Sequence, residues 1–307
     1  MHVLGSSLLT QKSSDSTEMT DVNRNDLDIK IKEGPIPIGE RQFEINGWRW
    51  HTGSVIRDLN RFRVVVDTMK KTYKSEICYD KNDNYNDENR LGNVEKSALL
   101  RREQATRAKS CSDFVCGFNW KALIKVESEL FFPWLSGILP DSANALMKDL
   151  LREHKKIEDL SKKMAKKCDD FIVVSKSSTD TGGSQNDVSI NTSLEHLAYL
   201  YDIDEQIVEL QQCALRIQDA QEHILVPYVC AYVTKKEQDR FNKRVISRLG
   251  LLDSQIHLVS MLDCVKDNRE EALKYKQQIP KVARALIPVW RTRLYMPKAA
   301  CLDLDVE

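Results

Sequence analysis

Two histidines and one glutamate have the residue types and positions needed to bind a transition metal. His51 lies one helical turn before an apolar stripe that begins at Val55, and His154 lies on another apolar stripe. Glu127 falls on the apolar face of the segment between them. Imidazole and carboxylate groups are ligands that iron and zinc accept in proteins. The chemistry that this set suggests is therefore metal binding inside a helical core.

Each of these residues also has an ordinary structural interpretation. A single histidine on an apolar helix face is usually a hydrogen-bonded core residue. A buried carboxylate is costly unless it is paired or bound to metal, and Arg49 or Arg57 could pair with Glu127. Glu158 follows His154 by one turn and could chelate a metal with it. That i, i+4 spacing is more often a coincidence on a helix surface.

Two phrases of similar form close two of the predicted helices. Each has an acidic or amide residue six positions before a proline, with an apolar cluster between. They run from Glu127 to Pro133 and from Gln221 to Pro227. Another predicted helix contains Arg-Glu-His-Lys-Lys-Ile around His154, and the first contains Trp-Arg-Trp-His ending at His51. In this order and spacing, the four phrases resemble the hemerythrin-like (HHE cation-binding) family over roughly residues 41–233.

The resemblance implies a set of ligands. His51 and His154 match ligand histidines, and Glu127 matches the carboxylate that bridges or caps a metal pair in the family. Gln221 occupies the second carboxylate position, and Glu222 follows it by one residue. The metal ligands predicted from the resemblance and from helical spacing are His51, Glu127, His154, Glu222 and Glu158.

The chain departs from the family pattern at two further positions. The histidines expected one turn earlier in the second and fourth helices are replaced by Leu123 and Ile217. Leucine and isoleucine offer no donor atom to a metal, and their side chains occupy the space where it would sit. At most one ion, Fe or Zn, is therefore expected, and no stable di-iron centre.

Three hypotheses about function remain open at this point. We favour a hemerythrin-like domain protein that is a non-catalytic binding module with a weakened or lost iron site. The first alternative is a non-haem iron-binding protein that senses or stores iron or oxygen, and the second is a protein with a one-metal site. A metal ion and an unidentified protein are the expected partners. Nothing in the chain resembles a phosphate-binding loop or a nucleophile elbow, so we predict no enzyme.

Long helices must position these side chains. Four amphipathic stripes at helical period, joined by polar loops, predict an all-α fold built on an up-down four-helix bundle of hemerythrin-like type. The predicted helices begin near Asn46, Asn93, Asp141 and Thr192. The predicted divisions are a disordered or loose N-terminal arm (1–40), the bundle (41–233), an additional C-terminal helical subdomain (234–295) and a tail (296–307).

Composition excludes several classes of partner. The 46 basic and 46 acidic residues cancel, which gives no general attraction to nucleic acid or to an anionic membrane. No apolar stretch approaches the roughly 20 residues that span a bilayer, and no secretory signal is evident at the N-terminus. The 8 cysteines form no CxxC pair and are expected to be reduced. We therefore predict a cytoplasmic location, with the nucleus also open, and no binding to nucleic acid or membrane.

Overall fold

Every regular element in the described part of the chain is a helix. The computed structural model describes residues 42–80, 90–177 and 185–303, and these ranges contain no β-strand. The prediction of an all-α fold is therefore confirmed. The predicted arm at 1–40 lies outside the described residues, and its disorder stays a prediction.

Four long helical segments come first. The first and third are single helices, α1 (Asn46–Asp80) and α5 (Asp141–Ser177). The second consists of α2 (Arg90–Ser112), the π-helical turn π1 (Asp113–Trp120), α3 (Lys121–Val126), the π-helical turn π2 (Glu127–Phe131) and α4 (Phe132–Ser136). The fourth consists of α6 (Gln185–Ala220), the π-helical turn π3 (Gln221–Leu225) and α7 (Val226–Tyr232). The starts of α1 and α5 are the predicted ones. The helix α6 begins at Gln185, before the predicted Thr192, because the polar residues 185–191 continue the helix.

The four segments share an apolar core. The helix α1 packs against α6 and contacts α2, while α5 packs against both α2 and α6. The stripe predicted on α1 is buried at Val55, Leu59, Phe62, Val66, Met69 and Tyr73. Burying each such side chain contributes about 1.5–3 kcal/mol, so helical period alone identifies the face on which this stability depends.

Further helices follow α7. They are α8 (Lys235–Leu249), α9 (Leu251–Val265), α10 (Arg269–Gln278), α11 (Lys281–Trp290), π4 (Arg291–Tyr295), α12 (Met296–Ala299) and a 3₁₀ turn (Ala300–Leu302). The helix α9 packs along α1, and the 3₁₀ turn contacts α1 and α2. The C-terminal helices therefore lie directly on the long helices. The division predicted at residue 233 stays a prediction.

Local sequence signals set the helix boundaries in this region. Thr234 and Glu237 form a capping box at the start of α8, each side chain bonding to the other's backbone N–H. Gly250 has φ of 77° and separates α8 from α9. A positive φ is easy only for glycine, so the two helices are divided here by backbone geometry. The Asn268 side chain accepts hydrogen bonds from two backbone N–H groups of α10.

Three of the π-helical turns have one sequence feature in common. Each begins six residues before a proline: π2 before Pro133, π3 before Pro227 and π4 before Pro297. In each turn the backbone N–H that follows the segment donates to the carbonyl five residues earlier. A proline ring clashes with the carbonyl four residues before it in an α-helix, and the wider turn relieves that clash. The two proline phrases of the sequence therefore mark the wide turns that begin with Glu127 and Gln221.

Candidate functional site

The carboxylate of Glu127 is buried between α1 and α5. Its residue is only 1% exposed. Oε1 accepts a hydrogen bond from the indole Nε1–H of Trp48 on α1. Oε2 lies 2.6 Å from Nε2 of His154 on α5. Both oxygens therefore have a nitrogen neighbour, and the arginines expected as alternative partners are paired elsewhere.

Aromatic residues of the second segment hold this cluster in place. The His154 ring stacks on Phe132 with ring centroids 5.4 Å apart, and its Nδ1 lies 3.4 Å from Oγ of Ser128. The indole of Trp48 stacks on Phe131 at 5.9 Å. The turn π2 supplies Ser128 and Phe131, so the wide turn before Pro133 positions the surroundings of the carboxylate.

His51 lies beside a histidine that the sequence did not identify as a site residue. The rings of His51 and His257 are 4.6 Å apart, and His257 stacks on Phe118 at 4.5 Å. Burial lowers the pKa of His51 from 6.5 to about 4, although the charge of Glu127 and a backbone hydrogen bond at Asn119 act to raise it. Burial and the neighbouring His51 also lower the pKa of His257 well below 6.5. Both rings are therefore neutral at physiological pH.

The location of His257 explains why sequence reasoning missed it. It lies on α9, outside the four stripes that resemble the hemerythrin-like family. Its only signal is its position on an apolar helix face, between Ile256 and Val259, both of which are buried. That signal predicts burial but does not identify the neighbour across the interface.

Two of the predicted ligands contact surface cations. Glu222 Oε1 lies 3.0 Å from Nε of Arg49 and accepts a hydrogen bond from Gln218 at the same distance. The side chain of Glu158 is 46% exposed and lies 3.7 Å from Nζ of Lys155. The structure therefore brings together Glu127 and His154, and it places Glu222 and Glu158 in separate contacts.

The residues at the other ligand positions implied by the resemblance do not fit a two-iron centre. Leu123 and Ile217 are buried and present only hydrocarbon. Gln221 is also buried, and neither atom of its amide group has a hydrogen-bond partner. Among residues 42–80, 90–177 and 185–303, no three His, Cys, Asp or Glu side chains are arranged to hold a metal ion. The prediction that a single ion is bound remains untested.

A second buried charge, Asp58, joins several elements. Its carboxylate lies 2.7 Å from Nη2 of Arg57 and 3.4 Å from Nη1 of Arg61, and it accepts a hydrogen bond of 2.8 Å from Asn119. Desolvation raises the pKa of Asp58, and the two arginines oppose that effect. Arg57 also donates to the hydroxyl of Tyr295 on π4 at 3.0 Å. This network ties α1 to π1 and to the C-terminal helices.

Comparisons with protein-family models, curated proteins and solved structures give no match for this chain. The resemblance to the hemerythrin-like family therefore rests on the four phrases and stays a hypothesis. None of the described helices combines the length and the apolar character that a membrane crossing requires.

Proposed function

We propose that this chain is a hemerythrin-like up-down four-helix bundle acting as a non-catalytic binding module, with a polar cluster in place of an iron centre. The contacts of Glu127 carry the proposal. Trp48 occupies one carboxylate oxygen and His154 the other, at 2.6 Å. A buried carboxylate paired in this way needs no metal charge to offset its desolvation. The packing of α1 and α5 against both α2 and α6 supports the bundle.

The apolar replacements support the same conclusion. Leu123 and Ile217 match positions at which the family carries metal-binding histidines, and each is only 5% exposed. Each stabilises the core by about 1.5–3 kcal/mol. Gln221 cannot replace a bridging carboxylate, because its amide has no charge. These residues favour a module whose interior is maintained by packing.

One observation favours the alternative of a single iron or zinc ion. Nε2 of His51 and both ring nitrogens of His257 are buried without hydrogen-bond partners. Neutral imidazoles with available lone pairs are good donors for either metal. In that case the protein would sense or store iron, and the ion would be bound beside α9.

Metal analysis of the untagged, full-length protein distinguishes these functions. We expect far less than one iron or zinc per chain after exposure to either ion, and no visible band from an oxo-bridged iron pair. The double variant L123H/I217H restores the missing donors and should take up more iron. The variant L210H places a histidine at another buried position of α6 and is the matched control. Two tightly bound iron atoms in the unmodified protein would contradict the proposal.

The exposed basic face of α8 is the surface on which we propose that a partner binds. We call it the cationic face: Lys236, Arg240, Lys243 and Arg244, which recur at helical spacing and are exposed. None of the four forms an ion pair with any described residue. The opposite side of α8 is anchored where Phe241 stacks on Trp134 at 4.4 Å. Because the apolar side is already buried, the exposed side is available to a partner.

The shape beside the cationic face suits an acidic protein segment. A shallow depression of about 400 Å³ is lined by Leu130, Lys243, Arg244, Ser247 and Arg248. Cations around a small apolar floor complement carboxylates interspersed with apolar residues. The variant R240E/R244E should lose most of its binding to a glutamate-rich peptide, measured by fluorescence anisotropy at low and high salt. The variant K163E/K166E changes exposed lysines of α5 and should retain it; equal losses would show non-specific attraction.

A further inference from the structure

Two cysteine thiols meet where the C-terminal segment contacts α2. Cys301 lies in the 3₁₀ turn, and Cys111 lies near the end of α2. The Cys111 thiol donates a hydrogen bond of 3.1 Å to the carbonyl oxygen of Cys301, so the two cysteines are in direct contact. Cys111 is fully buried, whereas Cys301 is half-buried. A protected thiol therefore faces one that small molecules in solvent can reach.

The electrostatic surroundings of the two thiols differ. Burial strongly raises the pKa of the Cys111 thiol. The pKa of Cys301 is lowered, chiefly because the Cys111 thiol hydrogen-bonds to it, and Arg107 and Arg61 add to the effect. Arg107 is held in position by its Nε–H, which donates to the Cys301 carbonyl at 3.0 Å. The thiolate is the reactive form of cysteine, so Cys301 is the reactive partner of the pair.

The other cysteines whose side chains the structure describes lack this combination. Burial raises the pKa of Cys116, Cys168, Cys213, Cys230 and Cys264. Cys230 and Cys264 are half-buried like Cys301, so access alone does not distinguish the three. Cys213 contacts Arg216, and Cys168 lies near Cys116, but these three residues are buried. Cys301 differs because a partly accessible residue contacts both a second cysteine and an arginine. Oxidation should therefore be selective for this site.

We propose that Cys301 is a peroxide-sensitive thiol and that Cys111 converts its oxidised form into a reversible disulfide that fastens the C-terminal segment to α2. The Cys301 thiolate attacks one peroxide oxygen, the O–O bond breaks, and hydroxide leaves. This step oxidises the sulfur to sulfenic acid and reduces the peroxide. The Cys111 sulfur then attacks the sulfenic sulfur. The S–S bond forms as the S–O bond breaks, and water leaves with the Cys111 proton. A dithiol reductant returns both thiols by exchange.

The disulfide would make an existing attachment covalent. Asp303 already contacts Arg61 on α1 through its side chain and Arg107 on α2 through its carbonyl. The two cysteines are separated by 190 positions, so the bond would close a large loop and restrict the unfolded chain. Oxidation should therefore raise the temperature of unfolding and protect the C-terminal segment from proteases.

Peptide mass spectrometry of the peroxide-treated full chain tests the proposal. We expect a Cys111–Cys301 crosslinked peptide that forms at low peroxide and disappears with dithiothreitol. C301S should abolish the crosslink and the rise in unfolding temperature, while C230S, which removes another half-buried thiol, should retain both. Alkylation of the unmodified protein requires no variant: Cys301 should react faster than Cys230 and Cys264, with a midpoint below the ordinary pKa of 9.0.

Several results would overturn the proposal. One is oxidation of Cys301 to sulfenic or sulfinic acid with Cys111 still free. Another is a disulfide between Cys301 and any other cysteine. Alkylation of Cys301 no faster than that of Cys230 would show that the arginines and the second thiol do not activate it.

Discussion

Replacing the buried carboxylate of Glu127 distinguishes a cluster held by side-chain contacts from one that depends on a metal ion. In E127Q the amide keeps the shape of the side chain but replaces the carboxylate oxygens that contact Trp48 and His154. We expect the free energy of unfolding to fall by about 1–3 kcal/mol, as when a buried polar group loses its partner. Urea denaturation without added metal measures this loss.

The matched control for that substitution is E158Q. Glu158 is exposed and pairs with a surface lysine, so its loss should change stability by less than about 0.5 kcal/mol. If E127Q is as stable as the unmodified protein, the cluster does not depend on the carboxylate of Glu127. A loss that appears only when iron or zinc is present would instead indicate that Glu127 acts through a metal.

The buried histidines predict how stability depends on pH. The pKa of His51 is lowered from 6.5 to about 4, so the unfolded chain takes up a proton at a higher pH than the folded chain. The stability from this neutral ring is complete above about pH 6.5 and is lost as the pH falls toward 4. The pKa of His257 is lowered too, and it contributes in the same direction.

Wherever the ring is protonated in the unfolded chain and neutral in the folded chain, each such histidine adds about 1.4 kcal/mol per pH unit to the loss of stability. Carboxylates also titrate there, so the informative quantity is the difference between the unmodified protein and H257F. Phenylalanine can keep the stack on Phe118 and carries no titrating group. If H257F is less stable than the unmodified protein at pH 7, the difference between their urea midpoints should be smaller at pH 5. Parallel curves would show that His257 does not contribute.

At the scale of the elements, the close approach of α9 to α1 depends on Gly53. A Cβ atom placed there would lie 3.1 Å from Sγ of Cys264, whereas one at Gly117 would meet no atom within 4 Å. Valine is a somewhat better helix former than glycine, and this change acts in the same direction at both positions, so the difference between G53V and G117V isolates the contact. We expect G53V to be less stable by about 1–3 kcal/mol, the usual effect of overpacking. Equal urea midpoints would show that α9 moves away without loss.

The same interface shows how far the sequence could predict this protein. Helical period identified the buried stripe of α1, because a helix of 3.6 residues per turn presents fixed positions to its core. It also placed Glu127 and His154 inside, and these two side chains meet. Period does not specify which helix covers a given face. The contact between His51 and His257, and the network around Asp58, depend on α9 and π4 and could not be predicted from spacing.

The carboxylates illustrate the same limit. Glu222 directly follows the buried Gln221, yet it points to Arg49 because successive residues of a helix project in different directions. Glu158 was considered because it follows His154 by four positions. Four residues advance a helix by slightly more than one turn, enough here to move that side chain to the exposed surface. The role of a residue in the motif could therefore be interpreted only once the orientation of its helix was known.

At the scale of the whole molecule, the end of the described chain is part of the packed structure. The sequence assigned 296–307 to a tail, but residues 296–302 are helical, and Ala299 and Leu302 are buried. The 3₁₀ turn contacts α1 and α2, and Arg107 donates to the Cys301 carbonyl. Residues distant in sequence thus cover the face of α1 that carries Asp58. The apolar period of α1 did not indicate that the C-terminal residues pack over this face.

Ending the chain at residue 295 should therefore destabilise it. The truncated protein loses the buried side chains of Ala299 and Leu302 and the attachment through Cys301. The point variant L302A isolates the packing contribution and should cost about 2–5 kcal/mol, as for other buried leucines. The truncation should cost at least as much and should speed amide hydrogen exchange in α1 around Asp58. A truncated chain with unchanged stability and exchange would show that 296–303 behaves as a tail, as the sequence alone suggested.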